Sequence, residues 1–185
     1  MFLVSFPGSR NSYSTPFASS SSSWYSATTT ASTFDAISRE LQQWRWLPDL
    51  EFISHYHDHP AYIGALAASA QEHWQQHGTP EKLLISFHGI PEDYHTAGDP
   101  YPDECRATAQ LLAEKLSLDD DQWAISFQSR IGRQEWVKPY TDELLKEWGQ
   151  NGVGSVHVVC PGFPSDCLET IEEIGEENRE YFIQA

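Results

Sequence analysis

The amino-acid sequence predicts an α/β fold: a parallel sheet with helices on both faces. Two observations predict it. Short runs such as "LLISF" at Leu83–Phe87 and "WAISF" at Trp123–Phe127 are apolar at almost every position, as strands covered on both sides are. These runs alternate with longer segments in which apolar residues recur every three or four positions, so each strand leads into a helix that returns the chain to the same end of the sheet. With 185 residues the chain is long enough for one domain with a real core and short for two.

Taken in order, residues 1–33 come first and differ from the rest. They are rich in Ser and Thr, with five consecutive serines at Ser19–Ser23, and hold too little apolar surface to offset their ordering entropy. This stretch is expected to be poorly ordered, or the remnant of a missing N-terminal half. The α/β domain proper spans 34–185. "FDAISRELQQWRW" places Phe34, Ile37, Leu41 and Trp44 on one side of a helix, which Pro48 ends. "LEFISHY" reads as a strand. Pro60 opens a helix running to about His77, stopped by Gly78-Thr79-Pro80. "LLISF" is the next strand, and "DECRATAQLLAEKL" a helix with Cys105, Ala109, Leu112 and Leu116 on a face. "WAISF" follows, then a helix starting near Pro139, then "SVHVV" as the last strand and Asp166 to about Phe182 as the last helix.

The formal net charge of −16 disfavours nucleic acid as a partner, because phosphate binding needs clustered Lys and Arg. No apolar run approaches the roughly 20 residues of a membrane-spanning helix, and "MFLVSF" is too short for a secretory signal. Cys105, Cys160 and Cys167 form an odd, sparse set, one short of an all-cysteine iron–sulfur site, which reads as free thiols in a reducing cytoplasm.

In sheets of this kind ligands bind outside the carboxyl ends of the strands. His88 stands at such an end, in "LLISFHGIP", where Gly89 and Pro91 turn the chain. A lone histidine there serves either as a hydrogen-bonded strand terminator or as a titratable group facing a ligand. On an α-helical wheel, Asp166, Glu169, Glu173, Glu176 and Glu180 share one arc, with Leu168, Ile171, Ile174 and Phe182 opposite. Two readings stand side by side. Asp166-x-x-Glu169 has the form of a capping box, and a row of carboxylates also suits a visiting cation. "HYHDHP" sets His55, His57 and His59 at alternate positions, a pattern that either binds zinc or forms a polar junction between strand and helix.

Three stretches, "SFHGIPEDYHTAGDPYPDEC", "FQSRIGRQEWVKPYTDE" and "CPGFPSDCLETIEEIGEENREYF", resemble the ferrochelatase family, enzymes that insert iron into a porphyrin to make haem. The resemblance runs from about Tyr25 to Ala185 and is nearest to proteobacterial members. It implies a Rossmann-like, chelatase-type C-terminal half, apparently truncated at both ends: the first half is absent, residues 1–24 do not match, and members of the family continue past the position of Ala185. It further implies that His88 and Glu169 are the catalytic residues and the metal contacts, facing each other across the porphyrin cleft. Asp166 and Glu173 match the family's acidic path for metal or protons. Trp136 is a porphyrin contact or a core tryptophan, and the acidic helix is expected to carry a π-type widening. Porphyrin and ferrous iron are the implied substrates, with no cofactor required; peripheral membrane contact and oligomeric state stay open. Without the other half of the cleft, activity is expected to be poor or absent. A small cobalt or nickel chelatase of the same architecture, and an inactive porphyrin- or metal-binding fragment, are the alternatives.

Overall fold

The structure is a computed structural model, and it describes residues 17–19 and 23–185. Among the described residues the strands are β1 (Phe17–Ser19), β2 (Glu51–Ile53), β3 (Lys82–His88), β4 (Trp123–Gln128) and β5 (Val156–Val159). The α-helices are α1 (Ser32–Leu41), α2 (Pro60–His77), α3 (Glu92–Thr96), α4 (Tyr101–Leu116), α5 (Thr141–Gln150) and α6 (Arg179–Gln184). Two segments are π-helical, Ala27–Ala31 before α1 and Glu169–Asn178 before α6. The main sheet is parallel in the order β4-β3-β5, and β1 pairs with β2 in a second, two-stranded parallel sheet.

β3 is central, and its register runs from Leu83↔Trp123 to His88↔Gln128 on one side and from Lys82↔Val156 to Ile85↔Val159 on the other. Successive side chains point to opposite faces. Leu83, Ile85 and Phe87 pack into a core with Ala67 and Ala70 of α2 and Cys105, Ala109, Leu112 and Leu116 of α4. Each fully buried aliphatic or aromatic side chain of this kind contributes roughly 1.5–3 kcal/mol. Leu84 and Ser86 are buried on the other face, where α5 packs against β4. Helices therefore cover both faces, as the unbroken apolar strands require.

The termini of α2 fall where the sequence sets them. Pro60 is its first residue, His59 Nδ1 accepts the Ala61 amide, and Gly78 ends it at φ +87°. Two segments depart from the sequence-based expectation. Residues 23–33, within the stretch expected to be poorly ordered, are built into the fold, while 1–16 and 20–22 lie outside the described residues. The cause is Trp24, whose buried ring meets Phe87 edge-on at 5.2 Å while its Nε1 donates to Thr108 Oγ1 at 2.9 Å. Asp99 then holds the chain that follows: its Oδ2 accepts Ser26 Oγ at 2.9 Å and the Ala27 amide at 2.8 Å. The first helix stops at Leu41, and its apolar stripe is only partly covered by the described residues: Phe34 meets Phe52 edge-on at 5.3 Å, yet Phe34 and Trp44 remain 45% exposed. The last helix carries the expected π-type widening, which runs over Glu169–Asn178.

α5 and α6 approach closely at Gly149. A Cβ there would lie 2.6 Å from the Phe182 carbonyl oxygen and 2.8 Å from Ala185 Cβ. Gly149→Ala is expected to push α6 outward and cost about 1–3 kcal/mol, the usual range for overpacking. Urea denaturation of the parent and the variant measures it; an unchanged midpoint would show that α6 adjusts freely.

Candidate functional site

The turn after β3 is fixed from three directions. The Gly89 amide donates to the Gln128 carbonyl at 2.8 Å, and Val137 N donates to the Ile90 carbonyl at 3.0 Å. Tyr101 Oη donates to the His88 carbonyl at 2.9 Å. Gly89 is required by space: a Cβ would stand 3.0 Å from Trp136 Cε3 and 3.1 Å from the Gln128 oxygen. The close approach brings the Trp136 ring within 6.4 Å of the His88 ring, centroid to centroid.

His88 Nδ1 lies 2.7 Å from the Gly89 carbonyl oxygen. A carbonyl only accepts, so Nδ1 carries the proton, and the neutral ring keeps its lone pair on Nε2. The ring borders a half-open cavity of about 410 Å³, walled by Trp24, Tyr101, Trp136 and Phe163 and floored by Gly89 and Ile90. The Ser26–Thr29 segment closes its edge.

Glu169 is the first residue of the π-helix. Gln128 Nε2 donates to its backbone carbonyl at 3.1 Å. Its carboxyl is held below the ordinary value of 4.5, first by its own backbone N–H, then by the Cys167 side chain, and also by the nearby His88 ring, against slight desolvation. The expected capping box does not form. Asp166 Oδ1 instead receives the Thr170 hydroxyl at 3.3 Å, and Thr170 Oγ1 receives the Cys167 amide at 3.0 Å. The Glu169 carboxylate is left to its own backbone N–H and the Cys167 side chain. Four residues on, both Glu173 oxygens are occupied at 2.6 Å, one by the Ser129 amide and one by its hydroxyl. Ser129 presents both donors because it sits at φ +64° directly after β4. An i→i+5 ladder holds more residues per turn than an α-helix, so the acidic arc drawn on an α wheel shifts. Glu177, and not Glu176, joins Glu173 at a second cavity of about 270 Å³. Asn178, also at that cavity, is buried and donates through Nδ2 to the Glu173 carbonyl at 2.7 Å.

Residues 12–185 match the family model described as ferrochelatase. The chain belongs to the ferrochelatase family. It is 59% identical to a ferrochelatase of Hydrogenovibrio crunogenus over 161 residues, which cover 87% of this chain and 43% of that protein. For a ferrochelatase of Marinobacter nauticus the identity is 60% over 161 residues, 87% of this chain and 44% of the other. For one from Acinetobacter baumannii it is 57%, again over 87% of this chain, and 48% of that protein. The chain thus spans less than half the length of these relatives. The family match begins at residue 12, earlier than the motifs read in the sequence.

Within this ferrochelatase framework, the structure places His88 and Trp136 on the same cavity and Glu169 close enough to His88 for its charge to be felt. Asp166 is exposed beside the start of the π-helix, and Glu173 faces the second cavity. Sequence reasoning missed the polar residues that hold these groups. Ser86 Oγ donates to Gln128 Oε1 at 2.7 Å, Thr141 Oγ1 donates to Ser126 Oγ at 2.9 Å, and all four residues are buried. The signal was present: "LLISF" and "WAISF" each carry a serine at the same place, and the two serines are register partners.

In ¹⁵N-resolved NMR the neutral His88 ring is expected as the Nδ1–H tautomer, and an Nε2–H signature would overturn the assignment. Because its folded value is depressed, Glu169 stays anionic as pH falls through 4.5 and is protonated only below it. A ¹³C carboxyl titration with its midpoint at or above the ordinary value would contradict that.

Proposed function

We propose that this chain is the C-terminal half of a ferrochelatase that inserts ferrous iron into a porphyrin in the last stage of haem synthesis. Iron is a substrate, no cofactor is required, and the reaction is assigned to the cytoplasm. The observation that carries this reading is His88, whose Nδ1 is committed to the Gly89 carbonyl and whose ring borders a cavity lined by aromatic residues beside Glu169, a carboxyl held below its ordinary value.

Metallation displaces two pyrrole N–H protons and admits a divalent cation. His88 Nε2 accepts a proton from a pyrrole nitrogen, with ligation of iron as its competing role. The Glu169 carboxylate favours the imidazolium that results and attracts the cation. Phe163, with the exposed edges of Trp24, Tyr101 and Trp136, gives the cavity an apolar lining for a macrocycle. Asp166 and Glu173, on either side of Glu169 in the chain, form the acidic path for iron or for departing protons. The free state of Cys105, Cys160 and Cys167 suits a reducing compartment, and among the described residues no helix is long and apolar enough to cross a membrane. The likeness to ferrochelatases favours iron over the cobalt and nickel of the smaller chelatases.

The test joins this chain to the N-terminal half of one of its relatives. His88→Ala is expected to lower metallation by about 10²- to 10⁴-fold while porphyrin still quenches tryptophan fluorescence. Glu169→Gln is expected to abolish turnover without moving the melting temperature. Parent-like turnover in both variants would overturn the assigned roles. Porphyrin binding without any metallation by the joined protein would favour a binding module.

A further inference from the structure

A second group of metal-binding side chains lies outside the cavity. His55 and His57, in the loop between β2 and α2, meet Glu104 in the first turn of α4, and one ligand atom from each falls within 4.8 Å of the others. Glu104 Oε1 is 3.7 Å from His55 Nδ1, and Glu104 Oε2 is 3.3 Å from His57 Nδ1. His57 Nδ1 is buried and, despite that proximity, has no hydrogen-bond partner among the described residues. A buried ring nitrogen facing a carboxylate without bonding to it normally forfeits free energy. The separations fit a different occupant. Ligands about 2.0–2.1 Å from a tetrahedral zinc ion stand about 3.4 Å from one another. The third histidine of the sequence motif is not available, because His59 Nδ1 is spent on capping α2. Glu104 takes the place that the sequence pattern left to His59.

We propose that His55, His57 and Glu104 form a binding site for a divalent transition ion of the zinc class, with water in the fourth position. Imidazole nitrogen with one carboxylate is a donor set that zinc accepts readily. His55, with its side chain 47% exposed, gives the entry path, while His57 and Glu104, at 14% and 12%, give the enclosed side. The site is structural. Glu104 Oε2 also accepts the Tyr25 amide at 2.6 Å, and the His57 carbonyl accepts from Thr108 Oγ1 at 2.8 Å. Thr108 in turn receives the indole N–H of Trp24. An ion here ties the 54–59 loop and α4 to the segment that lines one side of the His88 cavity, and so stiffens that side from behind.

The experiment is equilibrium dialysis of the chain against Zn²⁺, with Co²⁺ absorption spectra as the second readout. His55→Ala, a substitution at an exposed ring, and His57→Ala are compared with His88→Ala and with a His73→Ala/His77→Ala double variant. The controls remove two other places where zinc would meet histidine; His73 and His77 stack at 4.4 Å, with His157 adjacent. One ion per chain should be held by the parent and both controls and weakened more than about 100-fold by either loop variant. Zinc should raise the melting temperature of the parent and leave that of His55→Ala unmoved. Equal binding by parent and His55→Ala, or loss confined to His88→Ala or to the double variant, overturns the proposal.

Discussion

The Gln128 side chain joins β3, the segment after β5 and the start of the π-helix at a single point. At the end of β4 it accepts the Ser86 hydroxyl from β3 through Oε1, meets the Cys160 thiol beyond β5 through the same oxygen, and gives its amide to the Glu169 carbonyl. Its own backbone carbonyl receives the Gly89 amide. One residue therefore sets the turn that holds His88 and the first peptide of the helix that holds Glu169. In a buried setting such bonds are worth most when every partner is present, since each orphaned group bears its full desolvation cost. The distance between the imidazole and the carboxylate is thus a property of the strand ends, and the two side chains do not have to find each other.

How much of this was legible in the sequence follows from the kind of signal each part leaves. The sheet and its crossover helices were legible because burial on both faces forces continuous apolar runs, and Pro60 and Gly78 mark helix ends by backbone geometry alone. The His88 turn was legible for the same reason, through Gly89. The order of residues 23–33 was not. It rests on one large ring and one acid, Trp24 and Asp99, acting 73 and more positions apart, and composition averaged over the segment dilutes both. The capping box at Asp166 was the wrong local solution because Thr170 offers a competing hydroxyl inside the same turn.

Electrostatics gives the site its direction. Five glutamates, Glu169, Glu172, Glu173, Glu176 and Glu177, lie within the π-helical stretch, which contains no basic residue. Like charges one turn apart cost a few tenths of a kcal/mol per pair. Glu173 is compensated by two short bonds from Ser129, and Glu169 by backbone and side-chain donors with His88 alongside. The remainder face solvent or the second cavity, where a cation gains what the isolated helix lacks.

The π-helix has a consequence of another kind. Its wider ladder means that Glu169, Glu173 and Asn178 hold their bearings through the number of residues between them, more than through what those residues are. Information of that sort is counted rather than spelled. The intervening side chains are free to drift over evolutionary time so long as the tally is kept, whereas losing a single one would return the segment to ordinary α pitch. The Glu173 carboxylate would then rotate away from Ser129 if the loss fell before it. A chain can thus tolerate many exchanges here and no omission, and a length change between Glu169 and Asn178 is a more telling mark of lost function than any change of letter.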